Sequence, residues 1–351
     1  MSDLWTESEG STSAAGLRRE TDGESQTEME ISLRQRFFNM QTLISFVAAF
    51  AILYFFLARV DIDLSATWAR MQQASPAPYL AALGVYYSTF LLRAVRWRLL
   101  LANVGFDRAS GVHLPSTGGL MEIVLLSWFA NCVVPAKLGD AYRAYLLKKN
   151  ARTSFSTTVG TVVAERVIDM SVLFVLLALS AASVLGRRQE AAVSIVEVGL
   201  GFAVLMLMVV LAMRAFGSRI QGWLPLRLQG FYGRFQDGTL HSFQQLPLVV
   251  LLTVLIWLGE GLRLLFVTHS LGLSLGFVLV IFVALANSLL TAVPFTPGGL
   301  GLVEAGVVGV LLGAGVLAKE DAVSVAMLDR TISYWSLVVV GLLLYLVSRR
   351  K

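Results

Sequence analysis

The residues of this chain that could do chemistry are charged side chains and helix-breaking residues set inside apolar sequence. The most unusual segment is PFTPGGLGLVE, from Pro294 to Glu304. Its helix-breaking residues are Pro294, Pro297, Gly298, Gly299 and Gly301. Proline withdraws an amide donor, and glycine adopts backbone angles closed to other residues. Backbone groups freed in this way must find polar partners in lipid, so the segment predicts a broken helix lining a polar interior. A simple tight loop between two spans is the alternative.

A second helix-breaking segment, VPAKLGD, ends at Asp140. Its Pro135 and Gly139 have the same spacing of four as Pro294 and Gly298, and the charged residues Lys137, Asp140 and Arg143 accompany it. An ordinary helix end at the membrane interface would also explain the segment. Paired broken segments in two halves of a chain are typical of transporters with inverted repeats. We therefore predict an inverted repeat, with chance similarity of two short motifs as the alternative.

A third charged group, Glu165, Arg166 and Asp169, lies near the start of an apolar segment. The spacing places these residues within reach of one another on a helix. One charge at the centre of a membrane helix costs about 2.5–3.5 kcal/mol, so all three should face the protein interior, a water-filled path or the headgroup region. Structural pairing alone is the alternative to a substrate or proton path. We further expect Glu304 to face the same polar interior and to pair with Arg330.

The elements that must position these residues are membrane helices. The chain has 351 residues, of which 56% are hydrophobic and only 15% are charged, against about 25% charged residues in soluble domains. Apolar stretches of roughly span length recur at 40–58, 78–101, 118–135, 157–184, 194–213, 247–270, 275–293, 300–317 and 322–347. The sequence predicts an all-α, polytopic membrane helix bundle of about eight spanning helices, with one or two re-entrant or broken segments.

The distribution of Lys and Arg predicts the orientation of the bundle. If 118–135 enters and returns on one side, the other eight stretches place both termini in the cytoplasm, together with twenty of the 28 Lys and Arg residues. Residues 1–36 are predicted to be a disordered cytoplasmic tail because they are polar and lack an apolar stripe. Residues 37–351 form the transmembrane domain in the plasma membrane. Within this domain, residues 214–246 mix aromatic and basic side chains. This mixture favours a cytoplasmic loop that lies at the membrane interface over an ordinary cytoplasmic loop.

Other functional classes have little support in the sequence. The three histidines lie far apart and there is one cysteine, so no metal site, disulfide or cofactor is expected. The net charge of +5 in so apolar a chain fits cytoplasmic loops and anionic lipids, and we expect no nucleic acid partner. No catalytic residues stand out, so the protein is not expected to be an enzyme.

The order of the motifs resembles one known family. Pro135 with Gly139, Asp140 and Arg143, then Glu165-Arg166-Val167-Ile168-Asp169, then the segment from Pro294 to Glu304 are similar to the flippase-like family, the transmembrane part of the lysylphosphatidylglycerol synthase/flippase proteins. Lys137 and Asp140 depart from the arginine and glutamate expected there. The resemblance covers about 40–347.

The resemblance implies movement of a lipid or lipid-linked polar headgroup between leaflets. Phosphate-bearing headgroups would suit the arginines. Two-part members of the family carry a soluble aminoacyltransferase domain after the membrane region, so lysyl-lipid synthesis is not expected of this chain, and a separate enzyme would make the lipid. A membrane glycosyltransferase, an aminoacyltransferase-associated protein and a non-transporting scaffold are the alternatives.

The predicted orientation can be tested by cysteine scanning in a Cys132→Ser background. A cysteine at Lys351 should stay unreactive towards an impermeant thiol reagent added outside cells, and a cysteine at Arg187 should react. The reverse pattern, with reaction at 351 and none at 187, would contradict the eight-span arrangement.

Overall fold

The computed structural model describes residues 63–107, 109–134, 138–184, 189–292 and 296–351, and the single positions 47, 51 and 54. All regular secondary structure in these ranges is helical, as predicted. The helices are α1 (Leu64–Gln72), α2 (Pro76–Asn103), α3 (Thr117–Val133), α4 (Gly139–Ala151), α5 (Phe155–Val184), α6 (Gln189–Trp223), α7 (Leu226–His241), α8 (Leu246–Ser270), α9 (Phe277–Ala292), α10 (Leu302–Gly313), α11 (Lys319–Arg330) and α12 (Leu337–Val347). A 3-10 turn, Pro297–Gly299, precedes α10, and a π-helical segment, Thr331–Ser336, joins α11 to α12.

Eight of the nine predicted apolar stretches coincide with helices. By length and composition, four helical segments could cross a membrane: Phe155–Val184, Gly199–Trp223, Leu246–Ser270 and Lys319–Val347. Shorter apolar segments are Thr117–Val133, Phe277–Thr291 and Pro297–Gly313. The tail 1–36 lies outside the described residues, as does all but three single positions of the stretch 40–58. A total of eight spans therefore stays a prediction.

Two long helices, α2 and α8, lie side by side in opposite directions. At one end the Ser75 amide, just before α2, donates to the carbonyl of Ser270 over 2.7 Å. At the other end Asn103 Nδ2, in the last residue of α2, donates to the carbonyl of Gln244 over 2.6 Å, just before α8. These contacts define a Ser75 end and an Asn103 end of the bundle.

Helices α3 and α4 form a hairpin, here called the first hairpin, and the described residues of its tip are Val134, Leu138 and Gly139. The Gly139 amide donates to Asn131 Oδ1 over 2.8 Å, and the Gly139 carbonyl accepts from Ser127 Oγ over 2.8 Å. A Cβ atom on Gly139 would lie 2.0 Å from the Ser127 carbonyl oxygen. Only glycine allows the two arms to meet this closely.

The first hairpin opens at the Asn103 end. Its two outer ends both contact the penultimate residue, Arg350: Glu122 of α3 pairs with the guanidinium at 3.2 Å, and Asn150 of α4 donates to the carbonyl over 2.9 Å. Arg98, near the end of α2, donates to Thr117 over 3.2 Å. The chain thus enters through α3 and returns through α4 at one end of the bundle, whereas the prediction placed both directions within 118–135. The place of this hairpin relative to the lipid stays a prediction.

Helices α9 and α10 form the second hairpin, and the described residues of its tip are 296–301. Its arms pack closely, since a Cβ atom on Gly306 would lie 2.1 Å from Leu290 Cδ1. The outer ends of its arms lead to the end of α8 and to the start of α11. These meet through Arg70, which pairs with Asp321 at 2.6 Å and donates to the Leu271 carbonyl over 2.9 Å. The second hairpin therefore opens at the Ser75 end, opposite to the first.

The region 214–246 is mostly helical, where the sequence predicted an interfacial loop. Helix α6 continues to Trp223, and α7 follows after a short turn. Helix α7 packs on α5 through two glycines: a Cβ atom on Gly160 would lie 2.4 Å from the Phe235 carbonyl oxygen, and one on Gly238 would lie 2.3 Å from that of Thr157. The prediction concerned where this connecting segment lies relative to the headgroups, and that position stays a prediction.

The close approach at the first tip predicts a contrast between two glycines. Gly139→Ala should lower the free energy of unfolding by about 1–3 kcal/mol, because the new methyl group has no room. The control is Gly84→Ala in α2, where nothing lies within 4 Å of the added atom and a gain of about 0.5–1 kcal/mol is expected. Thermal unfolding of the two purified variants in detergent measures both. Equal melting temperatures would contradict the tight hairpin.

Candidate functional site at the hairpin tips

The two hairpin tips meet in the interior of the bundle. Gly298 of the second tip has φ of 55°, and a Cβ atom there would lie 2.6 Å from the Tyr334 ring and 3.6 Å from Cys132 Sγ, beside the first tip. Tyr334 Oη donates to the Cys132 carbonyl over 3.0 Å. Arg330 Nη2 donates to the Gly298 carbonyl over 2.9 Å. The polar partners expected for the broken backbone are thus provided by the segment that joins α11 to α12.

The predicted pair of Glu304 and Arg330 is confirmed. Arg330 Nε donates to Glu304 Oε1 over 2.8 Å, and the other carboxylate oxygen accepts from the Gly301 amide over 2.7 Å. Gly301 has φ of 81°, a conformation that favours glycine. Glu304 therefore caps the start of α10 and holds Arg330 at the same time. Both side chains are at most 5% exposed.

The first tip carries the same kind of pair. Arg166 of α5 makes a bidentate contact with Asp140, in the first turn of α4, at 3.0 and 2.8 Å. In both hairpins the arginine follows its carboxylate by 26 residues. Arg166 also lies 3.7 Å from Asp169, as its helical spacing predicted. Unlike the Glu304 pair, this pair is partly accessible, since the Arg166 side chain is 34% exposed.

Behind the first tip lies a fully buried charge network. Arg96 of α2 contacts Glu165 at 2.9 Å, Asp169 at 2.5 Å and the Thr253 hydroxyl at 2.7 Å. Arg143 of α4 reaches the same Glu165 at 3.0 Å. Glu165 and Asp169, predicted to share a helix face, therefore share one arginine. Since carboxylates and guanidinium groups alternate, each buried charge has an opposite neighbour.

A second network links α2, α8 and α11. Glu260 accepts from Arg93 at 3.0 Å and pairs with Arg263 at 3.2 Å within α8. Arg263 also binds Asp329. Neighbours in sequence thus have different partners: Asp329 binds Arg263, whereas Arg330 binds Glu304. Glu260 and Arg263 have the helical spacing of three at which side chains pair, whereas no sequence spacing indicates the contact with Arg93.

Arg93 and Arg96 are the functional candidates that the sequence analysis missed. Both were counted among cytoplasmic basic residues, but they are 3% and 0% exposed within α2. Arg143, which was counted with them, is also buried, so the count of basic residues predicted on the cytoplasmic side falls from twenty to seventeen. The spacing of three between Arg93 and Arg96, inside the apolar stretch 78–101, was the available signal. The count of basic residues on each side of the membrane missed this signal, because it assigned residues near the end of the helix to the adjoining loop.

A cavity of about 150 Å³ lies between the two tips and the long helices. Its charged lining consists of Arg93, Arg166, Arg263, Arg330, Asp169 and Glu260. Four cations thus face two anions on the wall, although the counter-charges Asp140, Glu304 and Asp329 lie immediately behind it. Such a wall suits an anionic group that can accept hydrogen bonds from guanidinium donors.

Not every predicted site residue lies at the cavity. Arg166, Asp169, Gly298 and Arg330 line it, Glu304 supports it through Arg330, and Arg143 and Glu165 are buried behind the first tip. The predicted residues Pro135, Lys137 and Pro294 lie outside the described residues. Within the described part of the chain, no group of three or more His, Cys, Asp or Glu side chains is placed to hold a metal ion.

These features define a multi-pass helical membrane protein with a polar cavity between two broken-helix hairpins. The sequence matches the family of the lysylphosphatidylglycerol synthase TM region over residues 42–341, and the chain belongs to that family, as its motifs predicted. A UPF0104 membrane protein of Methanocaldococcus jannaschii is 35% identical over 227 residues, which are 64% of this chain and 95% of that protein.

Two further relatives differ in the length of sequence over which they are similar to this chain. A UPF0104 membrane protein of Pyrococcus horikoshii is 26% identical over 318 residues, 80% of this chain and 90% of that protein. Glycosyltransferase AglD of Haloferax volcanii is 27% identical over 144 residues, 41% of this chain and only 22% of that protein. The similarity to AglD is therefore local.

The two arginines that contact Asp169 should differ in their effect on stability. Arg96→Met should lower the free energy of unfolding by about 3–5 kcal/mol, because it removes the shared buried cation and leaves Glu165 with Arg143 alone and Asp169 with Arg166 alone, at 3.7 Å. Arg166→Gln should cost about 1 kcal/mol or less, because its pair is partly solvated. Thermal unfolding in detergent compares them. Similar losses in both variants would contradict the distinction between a buried network and an accessible tip.

Proposed function

We propose that this protein moves the phosphate-bearing headgroup of a lipid or lipid-linked molecule between the leaflets of the plasma membrane. The cavity between the hairpin tips carries the proposal, because four arginines line it. Guanidinium groups bind phosphate through paired, charge-assisted hydrogen bonds. Membrane lipids are the partners implied, and a separate enzyme would make the transported lipid.

Movement of a lipid headgroup across the membrane is energetically costly because the headgroup is charged. Even on a lenient scale, one charged side chain at the membrane centre costs about 2.5–3.5 kcal/mol. A cavity with donors already in place replaces part of the lost hydration. Because its arginines are held by carboxylates, the cavity costs less to maintain without substrate than a wall of unpaired cations would.

The opposed hairpins support a mechanism of alternating access. The first hairpin opens at the Asn103 end and the second at the Ser75 end, and one arginine pair holds each tip. Release of the Asp140–Arg166 pair would loosen one tip and leave the other closed. This arrangement is what an inverted repeat would produce, and transporters with such repeats bind substrate between broken helices.

The local similarity to Glycosyltransferase AglD favours a second candidate. The chain could act with, or as part of, a system that transfers sugar to a membrane lipid. Purified protein would then convert a lipid acceptor and an activated sugar into a product detectable by mass spectrometry. Lipid movement without any chemical change separates the first candidate from the second.

Transport can be measured in vesicles containing purified protein and phospholipids with a fluorescent NBD group on one acyl chain. Dithionite added outside bleaches only the outer leaflet unless lipids cross, so wild-type protein should make nearly all the label accessible. Glu304→Gln and Arg166→Gln should each slow this by at least about tenfold, since one lost charged contact is worth about 1.5–3 kcal/mol. Swapping the charges at 304 and 330 should restore part of the rate.

Two glycine variants complete the design. Gly299 has φ of 73°, and its Cβ atom would lie 2.7 Å from Val303 Cγ2, so Gly299→Val should block transport by distorting the second tip. Gly84→Ala, where nothing lies within 4 Å of the added Cβ atom, is the control and should transport normally. Melting temperatures show which variants are folded. Wild-type rates in folded Gly299→Val, Glu304→Gln and Arg166→Gln would mean that the charges only brace the helices, as in a membrane scaffold.

A further inference from the structure

We infer that Tyr334 is the positioning residue that closes the cavity towards the Asn103 end of the bundle, because its hydroxyl group holds the tip end of α3. Tyr334 lies in the π-helical segment, Thr331–Ser336, that joins α11 to α12. π-Helical turns are rare and often lie at functional sites. What the closure does for lipid movement rests on the proposed function, whereas the closure itself rests on the contacts of Tyr334.

Tyr334 contacts both hairpins. Its hydroxyl donates to the Cys132 carbonyl of α3 over 3.0 Å, and its ring would lie 2.6 Å from a Cβ atom on Gly298. The Arg330 guanidinium lies 4.9 Å from the centre of the same ring and donates to the Gly298 carbonyl. Among the residues that the structure describes, no hydrogen bond or ion pair joins the first hairpin directly to the second. The polar link between the hairpins therefore passes through Arg330 and Tyr334.

The Tyr334 hydroxyl satisfies a carbonyl that α3 leaves free. Helix α3 ends at Val133, and the last four carbonyls of a helix have no amide partner within it. The Ala130 carbonyl accepts from the Val134 amide, and the Cys132 carbonyl accepts from Tyr334. Both Tyr334 and Cys132 are buried. Since a buried carbonyl without a partner is costly, this bond favours the observed position of the tip end of α3.

The segment that carries Tyr334 is fixed to α2. The Tyr86 hydroxyl donates to the Ser333 carbonyl over 2.9 Å, and the Tyr87 hydroxyl shares a hydrogen bond with that of Ser336 at 2.9 Å. Helix α2 runs from one end of the bundle to the other. Tyr334 is therefore a fixed point against which the tip end of α3 is held.

The two arms of the first hairpin are held unequally. Arg143 anchors α4 through its buried pair with Glu165. By contrast, the tip end of α3 has one hydrogen bond to the rest of the bundle within the described part of the chain, the bond to Tyr334. Loss of the Tyr334 hydroxyl would therefore free α3 more than α4.

The tip end of α3 forms part of the cavity wall through Trp128, Asn131 and Cys132. From this wall α3 runs to the Asn103 end, so its displacement would open the cavity towards that end. The second tip would stay closed, because the buried pair of Glu304 and Arg330 does not involve the Tyr334 hydroxyl. The bond between Tyr334 and the Cys132 carbonyl thus controls access from one side only.

Cys132 can report this access directly, because it is the single cysteine of the chain, lines the cavity and is only 6% exposed. The probe is a membrane-impermeant, sulfonated maleimide added to inverted or right-side-out membrane vesicles, and mass spectrometry measures the labelled fraction. A cysteine at Lys351, in a Cys132→Ser background, marks the Asn103 side. Wild-type protein should react slowly from both sides. Tyr334→Phe should react about three- to tenfold faster from the Asn103 side alone, the effect of one hydrogen bond.

The matched control is Tyr87→Phe, which also removes one hydroxyl bound to the π-helical segment. Tyr87 does not line the cavity and does not contact the first hairpin through its hydroxyl, so this variant should react as slowly as wild type. Melting temperatures in detergent show that both variants are folded. Equal acceleration in the two variants would mean that any loosening of the segment suffices, which overturns the role of Tyr334.

A variant of the second tip tests the choice of side independently of Tyr334→Phe. Glu304→Gln weakens the contact that holds Arg330 and the second tip, so Cys132 should react faster from the Ser75 side. Faster reaction from the Asn103 side in Glu304→Gln, or from both sides in Tyr334→Phe, would contradict closure of each side by its own hairpin.

The inference and the proposed function can fail separately in the dithionite assay. Labelled Cys132 places a bulky group in the cavity, so labelled Tyr334→Phe should lose lipid movement and maleimide-treated Tyr87→Phe should keep it. One-sided labelling with lipid movement absent from every protein, or unaffected by the label, supports closure by Tyr334 and contradicts the cavity as a lipid path. Unchanged labelling in folded Tyr334→Phe, with lipid movement at the wild-type rate, overturns the inference and leaves the proposed function intact.

Discussion

Broken backbone inside an apolar bundle must be given polar partners, and the rest of this structure depends on that requirement. Each hairpin meets it with a carboxylate in the first turn of its second arm, Asp140 or Glu304, bound to an arginine 26 residues later. At the second tip the same arginine also pairs with a free backbone carbonyl, that of Gly298. The Arg330 side chain thus links the second tip and the start of α10 to the end of α11.

The arginines bring a second requirement, because a buried cation is costly without its anion. The networks around Arg96 and Glu260 meet it by sharing carboxylates between α2, α5 and α8. This sharing explains why α2 is long but less apolar than the four helical segments that could cross a membrane. Its buried arginines are directed into the bundle, where their charges are neutralised, and its exposed side carries the apolar residues Leu80, Leu91 and Val95.

Much of this architecture follows from sequence patterns, since span-length apolar runs predicted eight helices and Gly and Pro marked both tips. The pairing of Glu304 with Arg330 was predicted correctly, because a charged residue after a broken helix in apolar sequence has few oppositely charged partners within reach. Arg93 and Arg96 were missed, since three-dimensional packing of α2 on α8 decides that they are buried. Asp329 and Arg330 bind different partners for the same reason. Helical spacing shows which residues are near one another, but only the packing of the helices decides which of them form a pair.

If the cavity binds a phosphate as proposed above, the shared carboxylates would explain how a neutral interior attracts an anion. Glu260 is shared between Arg93 and Arg263, and of these two arginines only Arg263 has a second carboxylate, that of Asp329. An incoming phosphate would then contact Arg93, which lines the cavity, without breaking an existing pair. In that function the cavity would stay stable when empty and still favour an anionic ligand.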